Sequence, residues 1–353
     1  MPKTTKPKQT AVLRSTADFA RHIGLARTTV SRVLNGQPGL KQKTIDRVQR
    51  ALAETGFTPN AHALHLKGKR TSMVGICVED LLTPPAVRKL AALQKLLRDR
   101  GFFSLIEVFA PGMGRDVVRH FLSMRVEAVV FIGHFHREEI EARIVELIGH
   151  GTPHLVIDHF GLKNAHTVSL DRAMAMESVM NHLLDFGHRR FGLLAIGKAP
   201  ASRYDRMSGI HAALRSRGLD FDACTVSLDH LHERDNDFDY GRKLAASFLE
   251  QARRPTALLA LNDEIAIGAL RGLQEAGLKL PRDMSVTGFN NQVVAAMTTP
   301  TLTTVNQNID TTIAAAAEIL LGQLDMPPKP KPIVRMITGE LVIRESTGPA
   351  RLG

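Results

Sequence analysis

"STADFARHIGLARTTVSRVLNG", residues 15–36, holds two short amphipathic patterns separated by one glycine. Ser15, with Asp18 three positions on, is a capping-box-like start; Phe19, Ala20 and Ile23 then share a face, and Gly24 ends the run. The next run follows almost at once, with Val30, Val33 and Leu34 on one face and Gly36 as its stop. A third, "KTIDRVQRALAETG" at 43–56, repeats the spacing with Ile45, Val48 and Leu52. Two helices joined by a tight turn, with a third in support, predict a helix-turn-helix. In that motif the N-terminal residues of the second helix meet base edges in the major groove. Here they are Ala26, Arg27 and Thr28, with Arg32 about one turn later.

The charge agrees with this reading. Residues 1–70 hold 14 of the 46 Lys and Arg but only three of the 35 Asp and Glu, namely Asp18, Asp46 and Glu54. That end therefore carries the whole formal excess of +11, and the other 283 residues balance at 32 bases against 32 acids. A basic module joined to a neutral body is the electrostatic footprint of a nucleic-acid binder. A merely solubilising tail would explain Lys3, Lys6 and Lys8, but not bases that continue to Arg70 through sequence that looks folded.

Other classes are disfavoured. No apolar run approaches the ~18–20 residues of a membrane span, and "MPKTTKPKQT" at 1–10 has no apolar stretch behind it to make a secretory signal. Cys77 and Cys224 lie far apart in apolar, strand-like runs and read as buried free thiols. No disulfide framework or zinc spacing is visible, so a cytoplasmic protein without metal or other cofactor is expected. The nucleophile-elbow, zinc-protease, P-loop and dinucleotide-binding motifs are missing, which argues against an enzyme. "HFH" at 134–136 lacks the further ligands a metal site needs. "GHRR" at 187–190 reads as a turn with a structural histidine.

"ARTTVSRVLNGQPGLKQKTIDRVQRALAETGFTPNAHAL", residues 26–64, resembles the DNA-binding headpiece of the lactose-repressor family. The TVSRVLNG core, the Thr44/Arg47/Val48 pattern and the Gly56-Phe57-x-Pro59-Asn60 exit carry the likeness. Lys41 departs from it where the family usually has a Ser cap, and Leu64 where many members have Arg. The resemblance implies base readout by Arg27, Thr28 and Arg32, and phosphate contacts from Thr29, Ser31, Asn35, Thr44 and Asn60. It also implies that "PNAHALHLKGKR", residues 59–70, contains a hinge helix. Gly68 stops that segment after roughly two turns, and isolated helices below ~12–15 residues are marginal in water. By resemblance it orders only when two chains pair their hinges in the minor groove, with Leu66 as the apolar wedge in a base step.

Residues 71–346 alternate short apolar runs with helical patterns. Strands are predicted at "MVGICVE", "FSLIEV", "EAVVFIG", "HLVIDH", "TVSLD", "FGLLAIG", "CTVSL", "ALLALN" and "MSVTGF", with a last one near 333–341 after the Pro-rich 325–332. Helices are predicted at 86–100, 174–187, 206–217 and 264–276. Repeated βα units mean doubly wound parallel sheets, and about nine exceed one sheet, so two subdomains are expected. Ligands in such folds bind beyond the carboxyl ends of strands. That rule picks out Asp80 to Thr83, His134, Asp158, Arg206, Asn262-Asp263 and Phe289-Asn290, each of which taken singly also fits a cap or a surface polar group.

The family likeness continues through "HLLDFGHRRFGLLAIG" (182–197), "RYDRMSGIHAALRSRG" (203–218), residues 255–291, "PTLTTVNQ" (300–307) and "GELVIREST" (339–347). It thus spans about 15–347 and implies a body similar to periplasmic solute-binding proteins. Carried over by position, Arg206 clamps ligand hydroxyls or carboxylates, Asn262 is a pocket asparagine, and His134 and Asp158 fall on pocket-lining positions, whereas Thr83 is a candidate by the strand-end rule alone. Asn290 stands where an Asp is usual, and Pro85-Ala86 where a Phe pair stacks on the ligand. Both departures argue against an ordinary neutral sugar, and the lost carboxylate beside Arg206 leans toward an acidic one.

The expected organisation is a basic tail (1–14), a helix-turn-helix domain (15–58), a hinge and linker (59–70), a two-subdomain ligand and dimerisation core (71–347) and a short tail (348–353). The fold class is α/β, with an N-terminal three-helix headpiece. The expected function is a homodimeric transcription regulator, in this family most often a repressor. It would bind a palindromic double-stranded DNA operator under the control of a small sugar-like or acidic effector, with no membrane partner. The ending at Gly353, without a heptad tail, favours a dimer over a tetramer. Two other functions compete: an architectural DNA-binding protein with a vestigial pocket, and a solute-binding protein. The latter would need a signal peptide and no basic headpiece.

Overall fold

The computed structural model describes residues 13, 15–34, 37–57, 70–109, 112–159, 161–196, 200–228, 236–325 and 331–351. The chain forms two compact units, Met1–Thr71 and Ser72–Gly353.

The first unit is built from α1 (Thr16–His22), α2 (Arg27–Leu34) and α3 (Gln42–Thr55). The Ser15 hydroxyl caps α1, accepting from the Asp18 N–H at 3.1 Å. Gly24, at φ +64°, makes the turn out of α1, a conformation in which a side chain is strained. Arg47 of α3 donates to the Ile23 carbonyl at 2.5 Å and so ties the turn to the third helix. Lys41 precedes α3 without a side-chain cap, as its departure from the Ser pattern suggested. The apolar faces read from the sequence meet in one small core of Phe19, Ala20, Ile23, Val30, Val48 and Phe57, with Phe19 and Phe57 stacked at 4.7 Å. With so few side chains, Phe19→Ala, at ~3–5 kcal/mol for a buried aromatic, removes most of what holds the unit together.

The second unit alternates β1 (Met73–Val78), α4 (Pro84–Asp99), β2 (Phe103–Val108), α5 (Gly114–Ser123), β3 (Ala128–Ile132), α6 (Arg137–Gly149), β4 (His154–Ile157) and β5 (Thr167–Asp171). Then come α7 (Arg172–Asp185), β6 (Phe191–Leu194), α8 (Pro200–Ser216), a short α9 (Phe221–Cys224) and β7 (Thr225–Leu228). The chain continues through α10 (Asp237–Leu249), β8 (Ala257–Ala260), α11 (Asp263–Glu275), β9 (Ser285–Thr287) and a 3-10 turn at Val293–Ala296. It closes with β10 (Thr304–Asn306), α12 (Ile309–Asp325), β11 (Val334–Thr338) and β12 (Glu340–Val342). The strands make two parallel sheets, ordered β11-β5-β4-β3-β1-β2 and β7-β6-β8-β9, and an antiparallel pair β10-β12.

Each parallel sheet is covered on both faces, as continuous apolar strands require. In the first, Val74, Ile76 and Val78 point to the α4 and α12 side, while Cys77 packs with Phe121, Phe131 and Ile144 on the other. In the second, Leu258 and Ala260 face α10 and α11, and Ala257 and Leu259 face α7 and α8. The chain passes between the lobes three times: after β5, between β10 and α12, and between β11 and β12. These crossings bring the carboxyl ends of strands from both lobes into one region.

Three expectations are corrected. The strand predicted near 333–341 breaks at Gly339: β11 joins the first sheet beside β5, and β12 pairs with β10. β10 itself is absent from the strands read in the sequence. Cys224 is half-buried and ends α9 instead of opening a strand, whereas Cys77 is buried in β1; both are free.

Candidate functional site

In the headpiece, Arg27 and Thr28 open α2 and are exposed. They sit at the end the helix-turn-helix reading assigns to base edges. Thr29, Ser31 and Thr44 are half-buried. Arg32 is exposed, and its Nη2 donates to the Pro38 carbonyl at 3.2 Å, so it also braces the loop between α2 and α3. Asn35, Asn60 and Leu66, the last expected as a minor-groove wedge, lie outside the described residues, as does most of the segment expected to form a hinge.

In the second unit, strand ends build a charged cluster. Asp158 follows β4 at φ +71°, a left-handed conformation that Asp tolerates better than most side chains. Its Oδ2 lies 2.5 Å from Lys89 Nζ of α4, and its Oδ1 3.3 Å from Arg172 Nη2 at the start of α7. All three are almost fully buried. Lys89 also donates to Gln307 Oε1 at 3.0 Å, and Gln307 Nε2 donates to Asn290 Oδ1, which joins the β9 and β10 ends of the other lobe to the cluster. Arg172 Nη2 approaches His134 Nε2 at 3.2 Å, so that nitrogen carries the accepting lone pair of a neutral imidazole. The His134 backbone N–H donates to Glu79 Oε2 at 2.6 Å, tying the end of β3 to the end of β1.

Arg206 completes the group from α8. It is 5% exposed, its guanidinium lies 3.9 Å from the centroid of the Phe289 ring, and Nε and Nη1 have no hydrogen-bond partner among the described residues. Gly209, one turn further on, has the Ala173 carbonyl where its Cβ would be, at 2.1 Å, so α8 presses against the start of α7. That approach holds Arg206 near Arg172 despite their like charge.

The electrostatics follow from burial and neighbours. Burial pushes Arg206 down to about 9, helped by the Arg172 charge. Burial pushes His134 down to about 3, and Arg172 adds to it. Burial alone would raise Asp158, but Lys89 and then Arg172 outweigh it and keep the carboxyl well below the usual range. Glu79 and Asp205, both half-buried, are raised by burial.

Of the residues expected in this site, the structure brings together His134, Asp158, Arg206 and Asn290. Thr83 is exposed and donates its hydroxyl to Asp80 at 2.8 Å, in the turn that starts α4. Asn262 caps α11, accepting from the Ile265 N–H at 2.9 Å and donating to Asp237 at 2.6 Å. The structure places neither Thr83 nor Asn262 with the charged cluster. Sequence reasoning missed Lys89, Arg172 and Gln307. The usable signals were a lysine among Ala86, Leu90, Leu93 and Leu97 on the buried face of α4, and charged or amide residues just beyond β5 and β10.

His188 of the GHRR turn is structural. It is buried, with Nδ1 2.9 Å from Thr256 Oγ1 and Nε2 3.0 Å from both Ser285 Oγ and the Gly348 carbonyl oxygen. Among the described residues no group of three or more His, Cys, Asp or Glu could hold a metal ion. Nor is any described helix long and apolar enough to cross a membrane.

Residues 16–60 match the pattern of the lacI family of bacterial regulatory proteins, and residues 180–347 match the periplasmic binding protein-like domain. The HTH-type transcriptional regulator DegA of Bacillus subtilis (strain 168) is 26% identical over 335 residues, covering 94% of this chain and 97% of that protein. Catabolite control protein A of Staphylococcus epidermidis is 28% identical over 294 residues, covering 82% and 86%. Among solved structures, the lac repressor dimer bound to operator and the anti-inducer ONPF superposes with a TM-score of 0.84 at 24% identity, covering 95% and 99%. The CelR–cellobiose complex superposes at 0.68 and 24% identity, covering 94% and 99%. At that identity the structural likeness speaks for the fold.

Proposed function

We propose that this chain, which belongs to the lacI family of bacterial regulatory proteins, is a sequence-specific DNA-binding transcription regulator whose operator affinity is set by a small sugar-like or acidic metabolite bound in its core. The observation that carries this reading is the presence in one chain of an exposed, basic helix-turn-helix and a two-lobed core whose strand ends converge on buried charges. Arg27, Thr28 and Arg32 read bases; Thr29, Ser31, Asn35, Thr44 and Asn60 hold phosphates; Leu66 enters the minor groove. His134, Asp158, Arg206 and Asn290 contact the effector, with Thr83 and Asn262 nearer the rim.

The chain acts as a homodimer in the bacterial cytoplasm, as a repressor and not as an enzyme. The solved lac repressor dimer on operator supports the dimeric form. So do the large apolar side chains that this chain leaves exposed: Val87 on α4, Phe103 and Val108 on the β2 edge, and Val293 and Met297 around the 3-10 turn. The mechanism is linkage. A ligand between the lobes changes their closure and thereby the spacing of the paired hinges, so effector and operator affect each other's affinity by the same factor.

Selection of bound sites from random duplexes by the full chain tests the reading. It should recover a palindrome, and Arg27→Ala should relax the preference at one or two symmetric positions, at ~1–3 kcal/mol per lost bidentate contact. Recovery of no common sequence would leave an architectural binder in its place.

A further inference from the structure

The headpiece carries a concavity that its DNA-reading face does not use. An open hollow of about 450 Å³ lies between the end of α1 and the second half of α3, rimmed by Arg21, His22, Arg47, Arg50 and Glu54. Arg47, Arg50 and Glu54 stand at i, i+3 and i+7 and so share one face of α3. None of the described residues expected to read bases or hold phosphates lines it. Arg27, Thr28, Thr29, Ser31 and Arg32 belong to α2, and Thr44 to the first turn of α3.

Much of the hydrogen-bonding capacity at the rim is uncommitted. Arg21 pairs with Asp18, and Arg47 spends Nη2 on the Ile23 carbonyl, which leaves each guanidinium with further N–H groups. The side chains of His22, Arg50 and Glu54 make no hydrogen bond or ion pair among the described residues. The only acids in residues 1–70 are Asp18, Asp46 and Glu54, and Asp46 accepts from Gln42. They stand against 14 Lys and Arg over the same residues, so an anion approaching the headpiece meets a positive field.

The lining chooses between anions. Ile23 and Ala51 form an apolar floor that a phosphate backbone cannot use, and a continuous row of phosphates would bring like charge against Glu54. An acidic peptide meets both conditions. It can set an aliphatic side chain on the floor, carboxylates on Arg50 and Arg21, and a backbone N–H opposite Glu54. We propose that the hollow docks an acidic segment of a partner protein while the headpiece is on DNA, so that the chain reads a protein signal besides its operator.

The test is fluorescence anisotropy of a fluorescein-labelled peptide rich in Asp, Glu and Leu, with its Asn/Gln counterpart as control. Both are titrated with the full-length protein at ~0.15 M salt, where long-range attraction is screened. The acidic peptide should bind, and the amide peptide should bind at least ~10-fold more weakly. Saturation with a duplex recovered by selection should not displace the acidic peptide. Arg50→Ala should weaken it at least ~10-fold, while affinity for the duplex, which reports a folded headpiece, stays close to wild type. Glu54→Gln should tighten the peptide, a gain that a misfolded variant cannot produce. Displacement of the peptide by the duplex overturns the inference, because it puts the peptide on the DNA-reading face. Failure of the acidic peptide to bind overturns it, as does unchanged affinity in both variants. A second duplex that binds the duplex-saturated protein through Arg50, in place of the peptide, overturns it and assigns the hollow to nucleic acid.

Discussion

Replacing Asp158 with Asn isolates the charge that organises the cluster. Asn tolerates the left-handed backbone at this position and keeps the size and one acceptor of the side chain, so charge is the main thing lost. With an effective dielectric of ~20, the 2.5 Å and 3.3 Å contacts to Lys89 and Arg172 correspond to gross attractions of ~7 and ~5 kcal/mol. Desolvation of all three groups offsets much of that, and removing one partner of a buried pair leaves a net cost of ~3–5 kcal/mol. Lys89→Met should cost less, because it puts an apolar chain on the buried face of α4 and leaves Asp158 paired with Arg172. The double variant should be more stable than the sum of the two losses predicts, with a coupling energy of ~1–3 kcal/mol. Urea unfolding at neutral pH, compared at constant m-value, reads all three. An Asp158→Asn loss below ~1 kcal/mol, or strict additivity in the double variant, would refute the claim that these charges are buried and mutually dependent.

Other outcomes follow from the same geometry. His134 is held at about 3 in the folded protein against an ordinary ~6.5, so the unfolded chain binds the proton more readily. Stability is full above that ordinary value and lost as pH falls toward 3. Going from pH 7 to 5 should cost on the order of 2 kcal/mol through His134 alone. His134→Gln should flatten that part of the profile and leave a residual slope from His154 and His188, which burial also lowers. Affinity for operator should fall by ~10³–10⁵ between about 50 and 200 mM salt if two headpieces neutralise about 6–10 phosphates, and a flat response contradicts the charge argument. Leu66→Ala should reduce the operator bend in a circular-permutation gel shift and weaken specific binding while leaving non-specific binding intact. Unchanged bending would make residues 59–70 an ordinary linker.

Local pattern made much of the fold legible. Gly24 and the faces of Phe19, Val30 and Val48 are enough to write the headpiece, because each helix buries one stripe and each turn carries its own residue chemistry. The nine apolar runs of the body likewise became strands. What failed depended on distant partners. Residues 333–341 look like one strand, and only β5 on one side and β10 on the other decide that the chain changes sheet at Gly339. β10 is three residues long and has no period to read.

At the site, the strand-end rule found His134, Asp158 and Asn290, whereas Lys89 was invisible. A lysine on a helix is ordinarily a solvated group, and its burial depends on an aspartate 69 positions away. The same rule also gathered Asn262, whose amide serves helix capping. Arg32 was placed as a base reader without its tie to Pro38, a contact set by loop geometry that no spacing encodes.

In the proposed mechanism, one small molecule and one DNA site compete or cooperate through this chain. Its most direct measurement is the affinity of the full-length protein for a duplex recovered by selection, titrated by fluorescence anisotropy with and without a compound that raises the melting point of the core. Operator affinity should change by ~5–150-fold, matched by the same factor in the compound's affinity when operator is present. An operator affinity unmoved by a compound that demonstrably binds between the lobes would contradict it.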